Sequence, residues 1–181
     1  SENMMHLKIS SEKYLNTPSG YADEPGPRKW YNQMGGKSSC LEMDVELKDS
    51  LSYAIHNLSE VQIMDVELMM TVHYEPWYAS DPLGDALPER ILDLSPSFPK
   101  TSDRRLFLNK DGTIKIKYRI NALSSKHHGN NFVLKVAPAK PPSSDSSWRV
   151  NPVFSRPIKV LAADKALCRK LPPQLPRPAQ E

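Results

Sequence analysis

A chain of 181 residues, 39% of them hydrophobic, is long enough to enclose one core of ordinary domain size, and it contains no apolar run of membrane-spanning length. Two cysteines make neither a disulfide framework nor a zinc site, and 17 prolines against 7 glycines limit the length of any regular element. The formal charge of +3 hides a division: residues 1–100 carry 8 Lys/Arg against 16 Asp/Glu, a net of −8, whereas residues 101–181 carry 16 against 5, a net of +11.

Residues 6–9 are a weak strand candidate. Arg28-Lys29-Trp30-Tyr31 lies between prolines and the Gly35-Gly36 pair, which reads as a loop holding two cations beside two aromatics, with Lys37 following. Leu41, Met43, Val45 and Leu47 then alternate with Glu42, Asp44, Glu46 and Lys48, the period of a half-buried strand with an acidic outer face. Residues 51–58 can carry a short helix. Val66, Leu68, Met70, Val72 and Tyr74 repeat the alternation with Glu67, Thr71 and His73 outward. Pro76, Pro82, Pro88, Pro96 and Pro99 mark residues 76–103 as a long loop.

Asn109-Lys110-Asp111-Gly112 is a tight-turn signal between residues 106–108 and 114–120, so these flanks are expected to pair as a hairpin. The second flank puts Ile114, Ile116, Tyr118 and Ile120 on one face and Lys115, Lys117 and Arg119 on the other. Those three cations are expected to pair with Glu42, Asp44 and Glu46 on a neighbouring strand. Phe132, Leu134 and Val136 make a further strand, and Ile158 and Val160 another. Between them, residues 138–157 read as a proline- and serine-rich loop. Residues 161–171 can form a short helix, and Leu171-Pro172-Pro173-Gln174-Leu175-Pro176-Arg177-Pro178 must be extended. Spaced strands with little helix imply an all-β protein, an immunoglobulin-like β-sandwich over residues 1–160 with long proline-rich loops, followed by a short helix or linker and a proline-rich tail over 161–181.

Nothing in the chain has the spacing of a phosphate loop, a nucleophile elbow or a metal cluster, so no enzyme, cofactor or metal is expected. The stretch Met34-Gly35-Gly36-Lys37-Ser38-Ser39 ends like a phosphate loop but lacks its first glycine and precedes a strand. His127 and His128 are adjacent and point apart on an extended backbone, which makes them poor joint metal ligands. The basic residues are more informative, because they gather in expected loops. Lys126, His127 and His128 lie in the donor-rich stretch 124–131, Arg28, Lys29 and Lys37 near residue 30, and Arg156, Lys159, Arg169 and Lys170 towards the C-terminus. Such groups suit phosphate and base edges, so these ten are the expected nucleic-acid contacts.

Pro152-Val153-Phe154-Ser155-Arg156-Pro157-Ile158 resembles the segment that closes the N-terminal domain of Rel homology transcription factors. Phe132-Val133-Leu134-Lys135-Val136, preceded by a basic glycine-containing loop, resembles the corresponding part of Runt domains. The likeness covers about the last third of the chain; Arg28-Lys29-Trp30-Tyr31 only loosely echoes the Rel recognition loop. The resemblance implies an immunoglobulin-like sandwich that binds DNA through loops at one end. The expectation is therefore an intracellular DNA-binding module of a transcription regulator, nuclear or cytoplasmic and without a membrane partner. The alternative is a scaffold or adaptor that docks a protein partner through its acidic surface or proline-rich tail.

Overall fold

The computed structural model describes residues 3–15, 26–36, 39–49, 58–94, 104–140 and 148–163. Within them run β1 (Asn3–Leu15), β2 (Arg28–Tyr31), β3 (Cys40–Asp49), helix α1 (Glu60–Met64), β4 (Glu67–Tyr74), β5 (Leu92–Leu94), β6 (Leu106–Phe107), β7 (Thr113–Ile120), β8 (Phe132–Pro138), β9 (Trp148–Asn151), β10 (Val153–Phe154) and β11 (Ile158–Leu161). The first sheet has the order β5-β7-β3-β1-β9 and the second β2-β11-β8-β4-β6, with β10 also on β8. All described pairs are antiparallel except β1 with β9 and β11 with β2. The architecture is an all-β sandwich, as the alternation implies.

Its interior is supplied by the apolar phase of those alternations. Leu41, Met43 and Val45 of β3 and Ile116, Tyr118 and Ile120 of β7 face Leu68 and Val72 of β4 and Phe132, Leu134 and Val136 of β8, all fully or almost fully buried. Trp30 is also fully enclosed, on β2. A side chain of that size contributes on the order of 2–3 kcal/mol by leaving water, so these positions hold the two layers together.

Three expectations need correction. Residues 106–108 and 114–120 do not form a hairpin: β6 pairs with β4 in the second sheet, and β7 pairs with β3 and β5 in the first. The turn chemistry is nevertheless present. Asn109 Oδ1 accepts from the N–H groups of Asp111 and Thr113 at 3.0 Å each, and Asn109 Nδ2 donates to Thr113 Oγ1 at 2.8 Å. Gly112 takes φ 74°, open to glycine without strain. Leu108 N reaches back to Val66 O and Leu47 N takes Gly112 O, so the tight turn carries the chain from one sheet to the other.

Second, Arg28–Tyr31 is a strand, held by parallel pairing with β11. Third, the two proline-rich stretches contain β5, β9 and β10, strands too short for alternation to reveal. The helix over 51–58 lies mostly outside the described residues; α1 comes just after it, fixed by a capping box in which Ser59 Oγ accepts from Gln62 N and Gln62 Oε1 accepts from Ser59 N. Residue 161 closes β11 rather than opening a helix. The remainder of 164–181, tail included, lies outside the described residues.

The Pro152–Ile158 segment is itself a sheet-crossing device. β9 pairs with β1 in the first sheet, Pro152 donates no N–H, and β10 and β11 then run along β8 in the second. Pro157 would interrupt the ladder there. Ser155 fills the break: its buried Oγ accepts from Leu134 N at 2.9 Å while Ser155 N donates to Leu134 O at 2.9 Å.

Candidate nucleic-acid interface

The outer face of the first sheet is charged but internally matched. Register sets Glu42 between Lys117 of β7 and Lys13 of β1, Asp44 opposite Lys115, Glu46 beside Lys8, and Asp93 opposite Arg119. Lys115 Nζ lies 3.7 Å from the buried Glu42 carboxylate. Arg119 turns instead to backbone, donating to Asn32 O at 2.9 Å and to Ser39 O, with its guanidinium 5.4 Å from the Trp30 ring. Part of the sequence's charge division is thus cancelled by strand pairing.

Along the β2–β11 edge of the second sheet the register sets cation beside cation. Lys159 stands exposed on β11, flanked by inward Ile158 and Val160, and the parallel register sets it beside Lys29, about 4.8 Å away along the backbone. Ser124 Oγ, buried, accepts from Val160 N at 3.0 Å, which fastens the 124–131 loop to β11. Lys126 and His128 are exposed on that loop. Arg156, also exposed, precedes β11 on the same edge and donates to Gly26 O at 3.4 Å. Lys29, Lys126, His128, Arg156 and Lys159 therefore share one edge and the loop at its end.

The loop is held from beneath by His127. Its Nδ1 is 2.6 Å from Tyr74 Oη, and its ring packs 5.7 Å from Tyr74 and 5.4 Å from Phe132. A ring so occupied braces the loop and leaves Lys126 and His128 to face outward. His128 takes φ 57°, the sole positive φ outside glycine among the described residues. Gly129 follows at φ 75° with its N–H on Ser124 O at 2.8 Å. The backbone reverses there at some cost and sets the imidazole at the tip.

Arg28 is placed quite differently from the expected contact. Only 4% exposed, its guanidinium points into the sandwich, 3.4 Å from Glu12 Oε1 and 4.6 Å above the Tyr14 ring. Glu12 and Tyr14 point inward because β1 has a register shift between Ile9 and Ser11, which exchanges its two faces. Burial raises the Tyr14 phenol, against the lowering influence of Arg28, and raises that of fully enclosed Tyr118 much further. Neither hydroxyl meets a partner at full hydrogen-bond geometry among the described residues, and the Arg28 guanidinium is the polar group that acts on both. Arg28 is an interior cation. Lys37, Arg169 and Lys170 lie outside the described residues.

Residues 29–175 match the family model of the DG1062 N-terminal domain. The chain belongs to that family. No curated protein matches the sequence. Within this DG1062 N-terminal domain no group of three or more His, Cys, Asp or Glu side chains could hold a metal ion among the described residues, and no described helix is long and apolar enough to cross a membrane.

The reading of the sequence missed several exposed side chains. Phe154 of β10 is half exposed, opposite the partly buried Lys135 of β8. Trp77 and Tyr78 project from the proline-rich loop after β4. Their signal was an aromatic pair directly after a proline, in a segment with no apolar alternation to bury it.

Proposed function

We propose that this DG1062 N-terminal domain is a non-enzymatic DNA-binding sandwich of a nuclear transcription regulator. It meets the duplex along the β2–β11 edge and the 124–131 loop. Lys29, Lys126, Arg156 and Lys159 contact phosphate, and His128 adds a donor at the loop tip. Supporting the reading is the Ser124–Val160 hydrogen bond, which brings the Lys126 loop to the strand bearing Lys159. The paired charges of the first sheet do not compete for that role.

Fluorescence anisotropy with a labelled random duplex tests this reading. Four phosphate contacts give a slope of log K against log salt of about −3.6, since each contact releases close to 0.9 of a counterion. Lys126→Gln with Lys159→Gln flattens the slope by about two and weakens all sequences alike. Absence of binding to any duplex at about 50 mM salt refutes the reading. A protein-interaction role is the second reading, supported by the exposed Trp77 and Tyr78.

A further inference from the structure

The loop of residues 75–87 exposes aromatic surface while being firmly tied down. Glu75 N donates to Asn131 O at 2.9 Å, Asp81 N to Tyr78 O at 3.0 Å and Leu87 N to Val72 O at 2.7 Å, while His73 Nδ1 lies 2.7 Å from Gly84 O. Despite these ties Trp77 is 85% and Tyr78 72% exposed. A rigid loop that holds a tryptophan in water presents an anchor of the kind that carries interface energy. Beside it lies a cavity of about 500 Å³ walled by Tyr74, Pro76, Trp77, Asp85, Leu87 and Asn130.

Charge narrows the occupant. Residues 75–87 hold Glu75, Asp81 and Asp85 and no Lys or Arg. No ion pair among the described residues involves Asp81 or Asp85. Within this same chain, residues 165–178 hold Lys165, Arg169, Lys170 and Arg177, no acid, and the run Leu171-Pro172-Pro173-Gln174-Leu175-Pro176. Proline-rich extended segments dock on aromatic walls with little entropy to lose, and an arginine over an indole adds a cation–π contact. Connectivity is favourable as well. After β11 the chain leaves at Ala162, whose carbonyl accepts from Gln33 N at 3.0 Å, next to the 124–131 loop; the far end of that loop binds Glu75. At about 3.3 Å per extended residue, six residues cover about 20 Å.

We propose that the 75–87 loop is the docking surface for the chain's own basic, proline-rich segment, residues 165–178. Trp77 and Tyr78 receive its prolines, and Asp81 and Asp85 receive its cations.

The test is acrylamide quenching of Trp77 in the full chain without nucleic acid, with Trp77→Phe supplying the background of the other tryptophans. Docking predicts a protected Trp77 in the parent chain. Reversing the segment with Arg169→Glu, Lys170→Glu and Arg177→Glu raises the quenching constant several-fold, as does Asp81→Lys with Asp85→Lys on the loop. Combining both reversals restores protection. Protection that survives dilution supports docking within one copy, and protection lost on dilution assigns the segment to a second copy and overturns the proposal. A Trp77 equally quenched in the parent and both reversals, or a combined variant no better protected than either, overturns the proposal. The readout contains no duplex, so its failure is separate from failure of the DNA-binding reading.

Discussion

Arg28→Met separates an interior cation from a DNA contact. Arg28 is 4% and Glu12 13% exposed, with 3.4 Å between guanidinium and carboxylate. Methionine keeps much of the apolar stem and removes the charge, which leaves Glu12 facing the interior with no counter-charge. Breaking a buried pair from one side costs about 3–5 kcal/mol. The lost cation–π contact with Tyr14 falls within that range and is not a separate sum. For a chain of this size each kcal/mol moves Tm by about 2–4 °C, so a fall of about 6–20 °C is expected. Arg28→Met with Glu12→Leu removes both charges and recovers most of the loss, because the desolvation penalty disappears with them. Urea unfolding followed by circular dichroism, on the parent, both single variants and the double, measures the coupling directly. Binding to the random duplex should keep its salt slope in Arg28→Met. A single substitution that costs less than about 1 kcal/mol, or a double variant no more stable than the singles, refutes the interior ion pair.

Ser155→Ala leaves the buried Leu134 N–H without its side-chain acceptor and should cost about 1–3 kcal/mol in the same unfolding assay. Tyr118 carries a pH dependence whose sign follows from burial, which keeps its phenol neutral after the unfolded chain has ionised near pH 10. Above that pH the folded state holds more protons than the unfolded one, so stability is level below about pH 10 and falls as pH rises beyond it. Tyr118→Phe flattens that alkaline limb in a Tm-against-pH series. Lys115→Gln with Lys117→Gln should lower stability by about 1 kcal/mol or less and leave the duplex salt slope unchanged, since these cations face Glu42 and Asp44 across the strand pair.

Strands buried on one face announced themselves in the sequence. β3, β4, β7 and β8 each run seven residues or more, long enough for period-two alternation to repeat. The match of Lys115 and Lys117 to the acids of β3 was legible from their shared spacing, and the register bears it out. β1 was seen only in part because its register shift exchanges the faces midway and its inward positions then hold Glu12 and Tyr14. Polar residues that enter the core as a pair look like surface. For the same reason Arg28 looked like a loop cation: its counter-charge is 16 residues away, on a strand whose phase had already changed. The turn at 109–112 gave its local geometry correctly and its destination wrongly, since an Asx turn fixes dihedral angles but not which sheet the following strand joins. At the candidate interface the loop cations were legible as residues; their convergence rests on the long-range Ser124–Val160 bond, which leaves no local mark.

The position of β1 has a consequence for how the chain reaches this state. β3 satisfies one of its edges within the first 49 residues, but the other edge is covered over Asn3–His6 only once Trp148–Asn151 arrives. During synthesis, therefore, a long strand bearing Met5 and Leu7 waits with one row of backbone N–H and C=O groups open until almost the whole sandwich has left the ribosome. That interval is when an open edge can join another nascent chain. Closing it is a parallel pairing of very high sequence separation, the slowest kind of contact to form. The register shift after Ile9 and the charges Lys8 and Lys13 then act before the native state exists, as twist and repulsion that keep unfinished copies apart.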